Sequence, residues 1–286
     1  MSDIAITVKN VSFSYGKLLA VDGISFEVAR GEVMGFLGPN GAGKSTTIKM
    51  LTGMIKPQTG NIALLGMDIA RTPKDVQQRI GVCFEEKNLY LEMSARENLE
   101  FFARLFGIRN YDAKSALERV GLADRMNERV KRYSKGMRQR LMVARALVNQ
   151  PEVIFLDEPT DGLDPVSSRA IRTVIQEEAK RGAAVFLTTH DMMEADLLSD
   201  RVAFINKGKI AALDTPENLK LKYGKRTVKI RHRNNGGVQE RIIELTDQNA
   251  GEHLKEAVGA AGLLTIHTEE ATLEDIFVLL TGRGLV

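Results

Sequence analysis

Polar and apolar residues alternate over residues 4–13, where Ile4, Ile6 and Val8 share one face, and again over 24–36, where Ile24, Phe26 and Val28 do. A period of two puts successive side chains on opposite faces, so both stretches predict half-buried strands. The second runs through Gly35-Phe36-Leu37 into a glycine-rich loop. Beyond the loop, Ile48, Leu51, Thr52 and Ile55 recur at helical spacing, with Gly53 and Pro57 marking the stop. The chain thus begins with strand, loop and helix.

From residue 85 to 147 the strand signals give way to helical ones. Leu99, Phe102, Ala103 and Phe106 fall at i, i+3, i+4 and i+7, while Phe101 and Leu105 add apolar surface on a second face. Two readings fit this: a helix buried on both sides within the fold, or a helical subdomain, about residues 86–147, that offers part of its surface to a partner. Apolar runs return at 153–156, 184–188 and 202–205, each beside a helical stretch. That order predicts an α/β fold, a largely parallel sheet wrapped by helices. The pattern breaks at Asp214-Thr215-Pro216. Residues 227–233 and 238–245 then read as strands around the turn signal Asn234-Asn235-Gly236-Gly237, and helical segments at 249–261 and 272–281 flank a short strand at 263–268. A boundary is expected near residue 220, separating residues 1–219 from a small α+β domain, 220–286.

Composition alters little. A chain of 286 residues accommodates one large domain and a smaller one, and its 43% hydrophobic and 27% charged residues are those of an ordinary globular protein. A formal net charge of +3 names no partner. Apolar runs such as Ala183-Ala184-Val185-Phe186-Leu187 fall far short of the roughly 18 residues that suggest a membrane span. Met1-Ser2-Asp3-Ile4 has neither the basic region nor the apolar run of a signal peptide, so a cytoplasmic protein is expected. The single cysteine, Cys83, excludes an internal disulfide and reads as a buried small hydrophobe rather than a reactive thiol.

The chemistry begins at Gly38-Pro39-Asn40-Gly41-Ala42-Gly43-Lys44-Ser45, followed by Thr46, which fits the phosphate-loop pattern G-x-x-x-x-G-K-[ST]. Its glycines let successive backbone N–H groups face one concavity, and the next helix adds the positive end of its dipole. Lys44 can then reach the β- and γ-phosphates of a bound nucleotide, and Ser45 can offer its hydroxyl to Mg²⁺; kinases, GTPases and many ATPases share such a loop. The second element is Val153-Ile154-Phe155-Leu156-Asp157-Glu158, an apolar strand ending in two carboxylates at the ligand edge of the sheet. Asp157 there can hold Mg²⁺ through its water shell, and Glu158 can orient and polarise the attacking water.

With these elements the sequence resembles the ABC ATPase family over roughly residues 4–215. The resemblance implies a phosphate-loop ATPase with a RecA-like parallel core, N-terminal antiparallel strands and a helical subdomain. It assigns Tyr15, in Phe13-Ser14-Tyr15-Gly16, to stack on adenine. It places Glu85, in Val82-Cys83-Phe84-Glu85-Glu86, where the family carries a glutamine that senses Mg²⁺ and the γ-phosphate; a carboxylate can approach the metal but cannot donate the amide's hydrogen bond. Tyr133-Ser134-Lys135-Gly136-Met137 matches the family signature in degenerate form, with Ser134 and Gly136 preserved at the start of a helix. In the family this motif closes over ATP held by the opposite subunit, so a second ATPase cassette is implied, as homodimer or heterodimer. Asp164, in Asp161-Gly162-Leu163-Asp164, matches the loop that crosses between subunits, and His190, after Thr188-Thr189, the histidine that contacts the γ-phosphate.

Glu85-Glu86, the altered signature and the ending Thr272-Leu273-Glu274-Asp275-Ile276-Phe277-Val278-Leu279-Leu280-Thr281-Gly282 are similar to exporter cassettes of the drug- and sodium-efflux type. Those drive a separate transmembrane permease, which implies a protein peripheral to the inner face of the cell membrane. Importer cassettes and ABC ATPases acting on the ribosome or on nucleic acid are the alternatives. One phosphate loop and the lack of sustained heptads argue against the latter, and no nucleic-acid partner is expected. Between Lys220 and Arg233 basic residues accumulate without an acid, which reads as a strand with a solvated basic face or as a face toward anionic lipid. His232, His253 and His267 lack metal-site spacing.

Overall fold

The computed structural model describes residues 3–71, 73–84, 88–225, 227–234, 237–260 and 262–282. The chain divides after Leu213 into two compact units, so the break at Asp214-Thr215-Pro216, rather than residue 220, is where contacts separate.

In the first unit β1 (Ile4–Tyr15) and β2 (Leu18–Ala29) pair antiparallel, and β3 (Val33–Leu37) follows. The alternation over residues 24–36 is therefore two strands. Gly31, at φ 73°, turns the chain between them, and Glu32 accepts the Ala29 N–H at 2.7 Å. After α1 (Lys44–Leu51) come β4 (Thr59–Leu64) and β5 (Met67–Asp68), short strands without a clear alternation, which complete an antiparallel sheet in the order β2-β1-β4-β5.

Next follow α2 (Pro73–Gln77), β6 (Ile80–Cys83), and the helices α3 (Ala95–Leu105), α4 (Ala113–Arg119) and α5 (Lys135–Ala146). Ser94 and Glu97 form a reciprocal cap that starts α3. This helix is buried on one side only. Leu99 and Ala103 are inside, whereas Leu105 and Phe106 are 66% and 41% exposed. Strands and helices then alternate through β7 (Val153–Asp157), α6 (Pro165–Lys180), β8 (Ala184–Thr189), α7 (Met192–Leu198), β9 (Arg201–Asn206) and β10 (Lys209–Asp214).

The second sheet has the order β10-β9-β3-β8-β7-β6, and its pairings from β9 to β6 are parallel. β3, β7 and β8 are buried along their whole length, which is why their sequences read as unbroken apolar runs. The pleat sends Phe36, Phe155 and Phe186 toward the antiparallel sheet and α1, and Leu156, Val185 and Leu187 toward the helical side. The Phe186 ring centres the first of these layers, 5.2 Å from Phe36 and 5.6 Å from Phe26.

The second unit contains α8 (Pro216–Tyr223), β11 (Thr227–Asn234), β12 (Gly237–Glu244), α9 (Ala250–Gly259), β13 (Leu263–Glu269) and α10 (Leu273–Thr281). Its antiparallel sheet is ordered β12-β11-β13, and Val228, Ile230 and Ile243 pack with Ala250 and Ala257 of α9. On the other face Glu240 pairs with Lys229 at 3.0 Å and Arg231 at 3.4 Å. Acid from the neighbouring strand thus offsets part of the charge of the basic strand.

Candidate functional site

The order of the parallel sheet brings the carboxyl ends of β3, β7 and β8 side by side, where ligands of open α/β sheets bind. β3 leads into the loop of residues 38–43. Two of its glycines are sterically required: a Cβ on Gly38 would collide with the Ile205 carbonyl, and Gly43, at φ 112°, would press a Cβ to 2.5 Å from the Ala20 carbonyl. Lys44 opens α1 and is 6% exposed, with Nζ donating to the Gly38 carbonyl at 2.6 Å and pairing with Glu158 Oε1 at 3.0 Å. Each partner compensates the desolvation of the other.

Glu158 follows β7 with φ 48°, a left-handed backbone that costs of order 1–3 kcal/mol in a non-glycine residue and needs support from its surroundings. Its N–H donates to both the carbonyl and Oγ1 of Thr188, each at 3.1 Å. Its second carboxylate oxygen accepts the His190 backbone N–H at 3.3 Å and lies 3.0 Å from His190 Nδ1, so a proton on Nδ1 satisfies both groups. His190 Nε2 is 3.7 Å from Asp161 Oδ1. The preceding carboxylate, Asp157, is 4% exposed and accepts the Thr188 hydroxyl at 2.5 Å.

A cavity of about 590 Å³ collects Tyr15, Pro39, Asn40, Gly41, Gly43, Lys44, Ser45, Thr46, Glu158 and His190 from the residues singled out in the sequence. Tyr15 is 47% exposed there, its ring edge-on to Phe13 at 4.9 Å. Gly38, Ala42 and Asp157 stand behind the lining: Gly38 through its bond to Lys44, Ala42 by accepting the Gly208 N–H at 2.9 Å. Glu85 lies outside the described residues.

Ser134, Gly136 and Asp164 form a separate cluster. Ser134 caps α5 by accepting the Met137 N–H, and Asp164 caps α6 by accepting the Ser167 N–H at 2.9 Å and its hydroxyl at 2.7 Å. These donors hold the Asp164 carboxyl below the usual carboxylate range. Gly136 packs so closely that a Cβ would stand 2.6 Å from Ser167 Oγ. Lys135, 3.7 Å from Asp161, links this cluster to the cavity rim.

Five residues carried little sequence signal: Thr188, buried behind the cavity, and Leu18, Leu19, Ala20 and Lys207, which line it. Thr188 sits one turn of the pleat before His190, at the same strand end, and that position could have marked it. Leu18, Leu19 and Ala20 line the cavity from β2. Lys207 reaches it from the Lys207-Gly208 turn, which Gly208 fastens by donating to Ala42 and accepting from Asp22, both at 2.9 Å. Cys83 is fully buried and burial pushes its thiol up to about 12, consistent with a packing role.

The family model described as ABC transporter matches residues 21–161. Over 98% of this chain and 94% of the relative, the sequence is 45% identical to the fluoroquinolones export ATP-binding protein of Mycobacterium tuberculosis. It is 37% identical to the Nod factor export ATP-binding protein I of Burkholderia thailandensis, over 100% of this chain and 99% of that one. Among solved structures, a dimeric ATP-binding cassette bound to ADP and phosphate superposes with a TM-score of 0.66 at 25% identity, covering 73% of this chain and 98% of that one. These likenesses do not favour a ribosome- or nucleic-acid-acting ATPase or an importer. A phosphate loop, a strand-end carboxylate and a histidine folded onto one cavity, with Asp157 behind it, agree with them, and the chain belongs to the ABC transporter family as an ATP-hydrolysing cassette of its exporter branch.

Proposed function

We propose that two cassettes close over ATP and that each round of closure and hydrolysis drives a separate transmembrane subunit, with the cassette held at the inner face of the membrane by that subunit. The observation that carries the site assignment is Glu158, held between Lys44 and His190 in one cavity with the phosphate loop. The loop backbone binds the β- and γ-phosphates, Lys44 neutralises their charge, and Tyr15 stacks on adenine. Glu158 accepts a proton from the attacking water as its oxygen adds to the γ-phosphorus and the bond to ADP breaks, giving ADP and phosphate. His190 orients Glu158 and steadies the γ-phosphate.

Ser45 and Asp157 supply oxygen ligands of the kind Mg²⁺ prefers. Among the described residues no cluster of three or more His, Cys, Asp or Glu could hold an ion unaided, which suits an ion that phosphate and water largely ligate. Bound there, Mg²⁺ would offset the charge of the leaving group. Ser134 and Gly136, apart from the cavity of their own chain, are available to cover the γ-phosphate on a second cassette, with Asp164 fixing the crossing loop.

For the transmembrane subunit, the exposed Leu105 and Phe106 continue into an apolar hollow of about 370 Å³ lined by Met54, Phe84 and Phe102, a seat for an apolar partner. The relatives' names carry different cargoes, which supports cargo choice by the membrane subunit rather than the cassette. Glu158→Gln tests the assignment. It should retain ATP binding, lower turnover by about 10²–10⁴-fold, and accumulate an ATP-dependent dimer in gel filtration. Turnover at the unaltered rate would remove Glu158 from its role.

A further inference from the structure

Behind the Glu158–His190 contact lies a buried acid that the proposed chemistry does not use. Glu194, on the first turn of α7, is 5% exposed, and one carboxylate oxygen accepts a hydrogen bond from the Thr160 hydroxyl. Its other oxygen, Oε1, is buried and has no hydrogen-bond partner among the described residues. A polar cavity of about 180 Å³ is lined by Glu194, Thr160, Arg172 and Asp161 together with Glu158 and His190.

Thr160 stands two residues beyond Glu158, and Glu194 four beyond His190. The turns after β7 and β8 are therefore joined twice, once through Glu158 and His190 and once through Thr160 and Glu194. The first turn needs the second tie. Glu158 is in the left-handed region, and the bonds closing its turn within the chain are long, 3.3 Å from Asp161 N to Glu158 O and 3.2 Å from Leu163 N to Thr160 O. The second turn is firm: Asp191 caps α7 by accepting the N–H groups of Met193 and Glu194. A fixed helix end thus grips a strained turn at Thr160, the first residue after the catalytic carboxylate that carries a hydroxyl.

We propose that Glu194 is a positioning residue for ATP hydrolysis, acting through Thr160 to hold the turn that presents Glu158 to Lys44 and His190. The inference rests on the role proposed for Glu158. Burial, the largest influence on Glu194, raises its carboxyl above the ordinary range and so favours the neutral form, for which Gln is a near isostere.

The test uses the full chain with Glu194→Ala, Glu194→Gln, Thr160→Val and the Glu194→Ala/Thr160→Val double variant. Turnover, the Kd of a fluorescent ATP analogue and the melting temperature are measured on each. Glu194→Ala and Thr160→Val should each lower kcat about ten- to hundred-fold, the scale of a misplaced catalytic group. The analogue Kd should stay within about two-fold, and the double variant should be no slower than the slower single one. Glu194→Gln should recover most of the rate. Normal kcat in Glu194→Ala, additive losses in the double variant, no rescue by Gln, or a fall in ATP binding that matches the fall in rate would each overturn the proposal. If Glu194→Ala does not fold, Thr160→Val decides on the same criteria. Glu158→Gln runs alongside: its normal turnover would indict the role of Glu158, whereas its inactivity beside a normal Glu194→Ala would indict the positioning role alone.

Discussion

Thr188 allows the strand-end geometry to be tested through a single atom. Replacing it with Val exchanges the hydroxyl for a methyl of similar shape at a fully buried position, so no cavity opens. Two interactions go. The Glu158 N–H loses one of two acceptors but keeps the Thr188 carbonyl at 3.1 Å, so that loss is small. The larger loss is the 2.5 Å bond to Asp157, whose carboxylate is 4% exposed and cannot turn to bulk water for a replacement. Hydrogen bonds to charged groups contribute about 1.5–3 kcal/mol. At about 2–4 °C per kcal/mol for a domain of this size, the melting temperature should fall by roughly 6 °C. Thr188→Ser keeps the hydroxyl and should recover most of the loss. In steady-state assays Thr188→Val should lower kcat and raise the Mg²⁺ concentration for half-maximal turnover, because Asp157 and Glu158 both lose a constraint. A variant melting within about 1 °C of the parent, with unchanged kcat and Mg²⁺ dependence, would refute the reasoning.

Other expectations reach different parts of the molecule. Phe186→Ala removes the ring against which Phe26, Phe36 and Phe155 pack, and chemical denaturation should report a loss of about 3–5 kcal/mol; a loss below about 1 kcal/mol would show that the layer collapses onto the gap. With its pKa raised to about 12, Cys83 stays a protonated thiol until pH approaches that value, so alkylation at about pH 8 should need denaturant. Rapid labelling of the native chain would contradict this. Leu105→Glu, on a residue 66% exposed, should leave ATP turnover unchanged while reducing copurification with the membrane subunit by about ten-fold or more. Undiminished recovery of that subunit would move the docking surface elsewhere.

Local signals were enough for much of this protein. Unbroken apolar runs at 153–156 and 184–188 announced buried parallel strands, because a strand covered on both faces has no polar side to show. The phosphate loop and Asp157-Glu158 were legible because their chemistry depends on residue types at short, fixed spacing. Other features were invisible for the same reason reversed. β4 and β5 are held by pairing with β1, not by their own alternation, and the run over residues 24–36 hid a turn at Gly31 inside a continuous pattern. Whether α3 was buried on both sides depended on what packs against it, which spacing cannot tell. Only the folded sheet could bring Lys44 to Glu158, Glu158 to His190 and Thr160 to Glu194, since the two members of each pair follow different strands and are separated by 114, 32 and 34 positions. Sequence alone determined the chemical inventory and the elements that carry it. Tertiary structure decided which groups share a proton, a charge or a cavity, because those interactions fall off within a few ångströms and distance along the chain does not measure them.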